Sequence, residues 1–199
     1  MSSLNPFLAA VCAVLVLSQL VGGPARAQAP RQSALPATQT RPQDSAQAAL
    51  KAGNPQRALE IADTALKTLP NDAQLRFVRA VSLSLLYRLP EAEAAFADLT
   101  REFPELPEPY NNLAVVRAAQ GKLDQARNAL EDAIRAVPDY AVAYENLGDI
   151  HAQLAARSYR NAQKLDPANK TIAPKLKLVS DIAGQPSTGP ARTPAGPAQ

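Results

Sequence analysis

The 199-residue chain has one cysteine, one histidine, one methionine and no tryptophan, and only 5% of it is aromatic. A lone cysteine excludes a disulfide framework and any zinc site built on thiolates. A lone histidine leaves little material for imidazole catalysis or metal ligation. Neither sign of charge is in excess: 21 Lys and Arg stand against 18 Asp and Glu, a net +3. That is too mild to point to a nucleic-acid backbone as partner. No alternating run of β-branched residues occurs in 43–183, so strands are not expected. Glycine is scarce, eight residues in all, whereas proline is plentiful at eighteen. The placement of those prolines is the most informative feature of the chain.

The two ends differ from the middle. Phe7 to Val21 is an uncharged, mostly apolar run, followed by Gly22-Gly23-Pro24 and the small-x-small triplet Ala25-Arg26-Ala27. This is the grammar of a secretory signal over 1–27, with cleavage expected after Ala27. The run is shorter than the ~20 residues of a membrane-spanning helix. An uncleaved anchor is the alternative, because the segment before the run carries no Lys or Arg. Cleavage would remove Cys12 and leave a cysteine-free chain, which suits an oxidising compartment such as the periplasm. Residues 28–42 and 185–199 are rich in proline and poor in apolar side chains. Both read as disordered, a linker and a Pro-rich tail, since neither buries enough surface to offset its ordering entropy.

Between them runs an internal period. Pro70, Pro104 and Pro138 are 34 residues apart, and Ala58, Ala92 and Ala126 keep the same step. So do Tyr110/Tyr144, Asn112/Asn146, Leu113/Leu147 and Ala114/Gly148. Matches in common phase mark a repeat array. Each period holds two helices. In the clearest one, Tyr110, Leu113, Ala114 and Arg117 share a face up to Gly121; Leu123, Ala126, Leu130, Ala133 and Ile134 share another up to Pro138. Asn54, Asp72, Asp124 and Asp139 stand where helices open and are expected to cap or open them. The recurring Ala and Gly let helices approach closely, and units too small to be stable alone must stack.

The stretch Tyr110-Asn111-Asn112-Leu113-Ala114, with Gly121, Ala126, Leu130, Ala133 and Pro138, resembles a tetratricopeptide repeat. The next unit opens with Tyr144-Glu145-Asn146-Leu147-Gly148, which matches the first-helix motif still better. The resemblance covers about 43–167. It implies an all-α fold, an α-solenoid of about four helix–turn–helix units plus a closing helix, with first helices lining a concave face. The units fall at 43–70 (degenerate), 71–104 (divergent first helix), 105–138 and 139–167 (shortened), and the closing helix at 168–184. In the second unit Arg76 and Arg79 replace the usual aromatic and leucine, and Tyr87 replaces the turn glycine. A one-residue shift of that helix would put Phe77 in the aromatic slot. The fourth unit is five residues short and has neither Gly nor Pro from Asp149 to Asp166. One continuous helix over about 141–165 is predicted there in place of a pair.

No catalytic, metal or cofactor site is assigned. His151 is expected to pack or cap, since there is no second imidazole and no paired carboxylate. Gly121-Lys122 lacks the glycine spacing and following Ser/Thr of a phosphate loop, and no serine lies in a nucleophile elbow. An enzyme is therefore not expected. What the resemblance implies instead is a groove. Its peptide-facing positions would be Phe77, Val81, Asn111, Asn112, Val115, Glu145, Asn146 and Asp149, flanked by Val78, Leu85, Ala119 and Gln153. In related proteins an amide at the place of Asn112 and Asn146 bonds the backbone of an extended peptide; a solvated or locally capping amide is the alternative. The basic clamp with which some members hold a C-terminal carboxylate is missing. The resulting expectation is an exported, periplasmic, non-catalytic adaptor binding a protein or peptide segment, with no nucleic acid and no small-molecule substrate. The alternatives are self-association near Leu176, Leu178 and Val179, or a non-catalytic subunit of an envelope complex.

Overall fold

The computed structural model describes residues 41–183, which form eight α-helices and no strand. The expected signal at 1–27, the tail at 185–199 and all of the linker before Arg41 lie outside the described residues. The helices are α1 (Pro42–Lys51), α2 (Pro55–Ala65), α3 (Ala73–Leu85), α4 (Leu89–Glu102), α5 (Pro107–Ala119), α6 (Leu123–Ala136), α7 (Ala141–Leu165) and α8 (Ile172–Ala183). Each packs on its neighbours in sequence, and the first helices α1, α3, α5 and α7 also touch one another in order. That is the contact pattern of an α-solenoid. Pro42 already belongs to α1, one residue earlier than the linker boundary expected at 42, because proline is well tolerated where the first N–H has no helical partner.

Local chemistry sets most boundaries. Asn54 Oδ1 accepts the Arg57 N–H at 3.0 Å and opens α2; Asp72 Oδ1 accepts the Leu75 N–H at 2.8 Å and opens α3. Each such cap contributes about 1 kcal/mol. Asp124 and Asp139, expected in the same role, do not cap. The residue before α6 is Lys122, and the residue before α7 is Tyr140; neither helix has a side-chain cap bond. Asp124 lies inside the first turn of α6 and instead accepts from Arg157 Nη2 of α7 at 2.9 Å.

Three turns within the repeats are built alike. Gly53, Tyr87 and Gly121 stand 34 residues apart and have φ of 72°, 58° and 77°. In each, the N–H of this residue and the next return to carbonyls of the last helical turn, the ending that favours glycine. Tyr87 therefore holds the glycine's place in register. Ala80 and Ala114, also 34 apart, are both buried. The one-residue shift proposed for α3 does not occur, and Phe77 occupies the place of Asn111. Arg76 and Arg79, at the aromatic and leucine positions, lie against neighbouring helices: Arg76 donates to both oxygens of Glu102 at 2.5 and 2.8 Å, and Arg79 Nε to Asp63 at 2.6 Å.

The core runs along the array in two blocks. Ala46, Ala58, Ala62, Leu75 and Val78 join α1, α2 and α3. A larger block joins α3 to α7 through Phe77, Leu83, Phe96, Leu113, Leu130 and Ile150. Phe96 is fully buried and meets Phe77 edge-on, ring centroids 5.8 Å apart. Deleting such a ring costs about 3–5 kcal/mol. Ala58, Ala92, Ala114 and Ala126 are all buried at helix crossings. Gly148, the last of the small residues, is not: it is exposed, and a Cβ built on it would meet nothing within 4 Å. The cause is α7. It continues as one helix for 25 residues where a second helix would otherwise fold back, and α8 returns against it.

Candidate binding groove

Along α5, Pro107, Asn111, Ala114 and Ala118 are buried on one side, Pro109, Leu113 and Val116 on another. Tyr110 and Arg117 are partly exposed and reach to α4; the other partly exposed strip is Glu108, Asn112, Val115 and Ala119. A shift of one period in either direction gives three rows across α3, α5 and α7: Gln74, Glu108, Val142; Val81, Val115, Asp149; Leu85, Ala119, Gln153. All nine are partly exposed. First helices that touch one another present these rows side by side, so they line one continuous face. The face holds an aliphatic centre in Val81, Val115 and Leu85, two carboxylates, and no basic side chain.

Two polar atoms here are buried without a hydrogen-bond partner among the described residues: the Glu108 Oε2 acceptor and the Gln153 Nε2 donor. Leaving such a group unmatched costs about 1–3 kcal/mol. They lie on neighbouring first helices, within the rows.

Three of the residues assigned to the groove from sequence do not face it. Phe77 is 4% exposed and packs on Phe96. Asn111 and Asn146 are 3% and 9% exposed and bond each other, Asn146 Nδ2 donating to Asn111 Oδ1 at 2.7 Å. That bond joins α5 to α7 beneath the surface, so these amides hold two repeats in register and offer nothing to a ligand. Val78, one of the flanking positions, is fully buried against the first unit. Asn112 is partly exposed, yet its Nδ2 donates to the Glu108 carbonyl one turn back at 2.8 Å, the local role weighed against peptide binding. Glu145 is exposed one period on from Asn111, the position that in α5 faces the next first helix. Since no first helix follows α7 among the described residues, Glu145 lies at the end of the array. Val81, Val115 and Asp149 remain in the rows. Glu108 and Gln74 went unnoticed because their positions lie one turn upstream of the motif residues that anchor the pattern.

Two charged pairs with shifted carboxyls tie first helices to α4. Burial pushes the Glu93 carboxyl up, but hydrogen bonds from Lys122, Arg117 and Gln120 outweigh this and hold it below the usual carboxylate range. Its partners are Lys122 Nζ at 2.7 Å and Arg117 Nε at 3.2 Å, tying α4 to α5 and to the turn after it. Arg76 likewise holds Glu102 low by direct hydrogen bonding. His151, expected to pack or cap, is exposed on α7 and so does not pack in the core. Among the described residues no three His, Cys, Asp or Glu side chains converge as a metal site would need, and no helix is long and apolar enough to cross a membrane.

Models of the tetratricopeptide repeat match residues 44–107 and 116–154. The chain is built of tetratricopeptide repeats. A curated relative, the chloroplastic tetratricopeptide repeat domain-containing protein PYG7 of Arabidopsis thaliana, is 30% identical over 82 residues, 39% of this chain and 27% of the relative. The chain thus spans about a quarter of that protein's length. Among solved structures, the TPR protein TTC0263 of Thermus thermophilus superposes with a TM-score of 0.55 at 24% identity, over 72% of this chain and 81% of that one. The second TPR domain of human RPAP3, solved with the HSP70 peptide SGPTIEEVD, gives 0.52 at 21% identity, over 55% and 92%. Both likenesses show the fold. Arrays of this repeat serve as a rule as non-catalytic scaffolds for protein–protein interaction.

Proposed function

We propose that this tetratricopeptide array is an exported, non-catalytic adaptor that holds an extended segment of another protein along the rows Gln74–Glu108–Val142, Val81–Val115–Asp149 and Leu85–Ala119–Gln153. The observation that carries this reading is the pair of unmatched atoms, Glu108 Oε2 and Gln153 Nε2. An extended peptide presents an N–H and a C=O at every residue, the complement of one acceptor and one donor. The apolar centre suits aliphatic side chains on the segment. With two carboxylates and no Lys or Arg in the rows, an acidic peptide such as the SGPTIEEVD bound by RPAP3 is the wrong ligand here, and a neutral or basic segment is the right one. Export rests on the signal-like grammar of 1–27 alone; mass spectrometry of the native protein should find Gln28 at its N-terminus.

The groove is tested by selecting 12-residue peptides on the native chain and measuring their affinity for Val115→Arg and Gln153→Ala variants. Loss of at least tenfold with unchanged circular dichroism is expected. Affinity of both variants equal to that of the native chain rejects the groove. A second reading, self-association through α8, is favoured by its outer face: Leu178 and Ile182 are exposed, while Leu176 and Val179 turn partly inward. A concentration-independent monomer in sedimentation velocity excludes it.

A further inference from the structure

Among the described residues, the first helix of the fourth unit carries a packing face that no second helix of its own unit covers. In the third unit Tyr110, Leu113 and Ala114 pack within the repeat core, with Leu113 and Ala114 buried. One period later Tyr144 is 50% exposed, Leu147 is only partly buried, Gly148 is exposed and so is His151. The difference has one cause. The chain that would fold back as the unit's second helix continues α7 instead. α8 does not replace it: its 12 residues reach back about 18 Å from beyond the end of α7, and it contacts α7 alone among the principal helix pairs. It therefore lies along the later half of α7, where Ala152 and Ala156 are buried, and stops short of Gly148.

We propose that this face of α7 is a seat for an amphipathic helix of another protein, which completes the fourth repeat from outside. Continuity with the interface inside the molecule fixes the chemistry of the occupant. The equivalent seats are filled by α2, α4 and α6, whose buried residues run Ala58-Ala62-Ala65, Ala92-Phe96-Leu99 and Ala126-Leu130-Ala133. The common form is Ala at the close approach, then Ala or a large apolar residue four positions on, and Ala or Leu seven on. Gly148 stands one period on from Ala114, which is buried in the same core as Ala126 of α6, and has open space for such an alanine. Among the described residues of a second copy the three helices of this form, α2, α4 and α6, are already seated, which points to an occupant from a different protein. The seat lies away from the groove rows and stands independently of them.

The test is fluorescence anisotropy with a labelled synthetic peptide of α6 sequence, residues 122–137, titrated with the native chain. Saturable binding is expected, weakened at least tenfold by Gly148→Leu on the chain and by Ala126→Leu on the peptide. Gly148→Leu leaves the melting curve intact or raises it, because a Cβ there meets nothing within 4 Å among the described residues. Val115→Arg in the groove should leave this binding unchanged. The proposal is overturned if peptides of α2, α4 and α6 all fail to bind, or if Gly148→Leu binds as well as the native chain. It is equally overturned if the chain sediments as a dimer that Gly148→Leu dissociates, or if binding is gained only after removal of residues 184–199; the seat then belongs to a second copy or to the chain's own tail.

Discussion

Tyr87 holds a left-handed backbone conformation, φ 58°, at a turn whose counterparts in the first and third units are Gly53 and Gly121. The turn is fixed from both sides: the Tyr87 N–H donates to the Ser84 carbonyl at 3.0 Å and the Arg88 N–H to that of Leu83 at 2.9 Å. A Cβ in this region costs roughly 1–2 kcal/mol. Replacing Tyr87 by glycine alone would not isolate that cost, because the residue is 52% exposed and its covered part contributes some packing. Comparing Tyr87→Ala with Tyr87→Gly does, since both lose the ring. Glycine escapes the steric penalty but gives back about 0.4–1 kcal/mol through the greater freedom of its unfolded chain. The net expectation is Tyr87→Gly more stable than Tyr87→Ala by about 0.5–1 kcal/mol. For an array of this size that is a melting temperature roughly 1–4 °C higher. Ala94, exposed in α4, supplies the control: Ala94→Gly should lower stability by about 1 kcal/mol, the opposite order. Urea denaturation with calorimetry reads both. If Tyr87→Ala proves equal to or more stable than Tyr87→Gly, the turn is not held as described and the assignment of the repeat phase fails with it.

The two small residues at equivalent places should respond oppositely. Ala114→Leu is expected to cost at least 1–3 kcal/mol by overpacking, whereas Gly148→Leu should gain about 0.8 kcal/mol from helix propensity, both read by urea denaturation. In the buried amide pair, Asn146→Ala or Asn111→Ala should each cost about 1–3 kcal/mol by stranding the other amide, and the double change to alanine should cost less than the sum of the singles; strict additivity would deny the coupling. Glu93, held below its ordinary pKa by its cationic partners, contributes stability that is complete above the unfolded carboxylate pKa of about 4.3 and is lost as pH falls through the lower folded value. Glu93→Gln should flatten that part of the acid-stability curve, and an unchanged curve would remove Glu93 from the account.

How much was legible can be traced residue by residue. The 34-residue spacing of Pro70, Pro104 and Pro138 with Ala58, Ala92 and Ala126 carried the helical repeat, because close packing of like units demands small residues in fixed phase. The lack of Gly and Pro between Asp149 and Asp166 carried the long helix, because nothing local breaks it. Asn54 and Asp72 announced their own caps, being followed by the N–H groups they satisfy. Phe77 and Asn146 misled. Their types suit a ligand, but whether a residue two or three places along a first helix looks outward or toward the next first helix depends on how repeats stack.

Sequence by itself thus determined what depends on near neighbours along the chain: helices, turns, the period and the continuity of α7. Only tertiary structure decided which side chains are left facing outward, because that follows from the angle at which one helix pair settles on the next. It turned Asn111 and Asn146 toward each other and left Glu108 and Gln153 unmatched. It also left Gly148 open, since the glycine that invites a partner cannot itself say whether the chain supplies one.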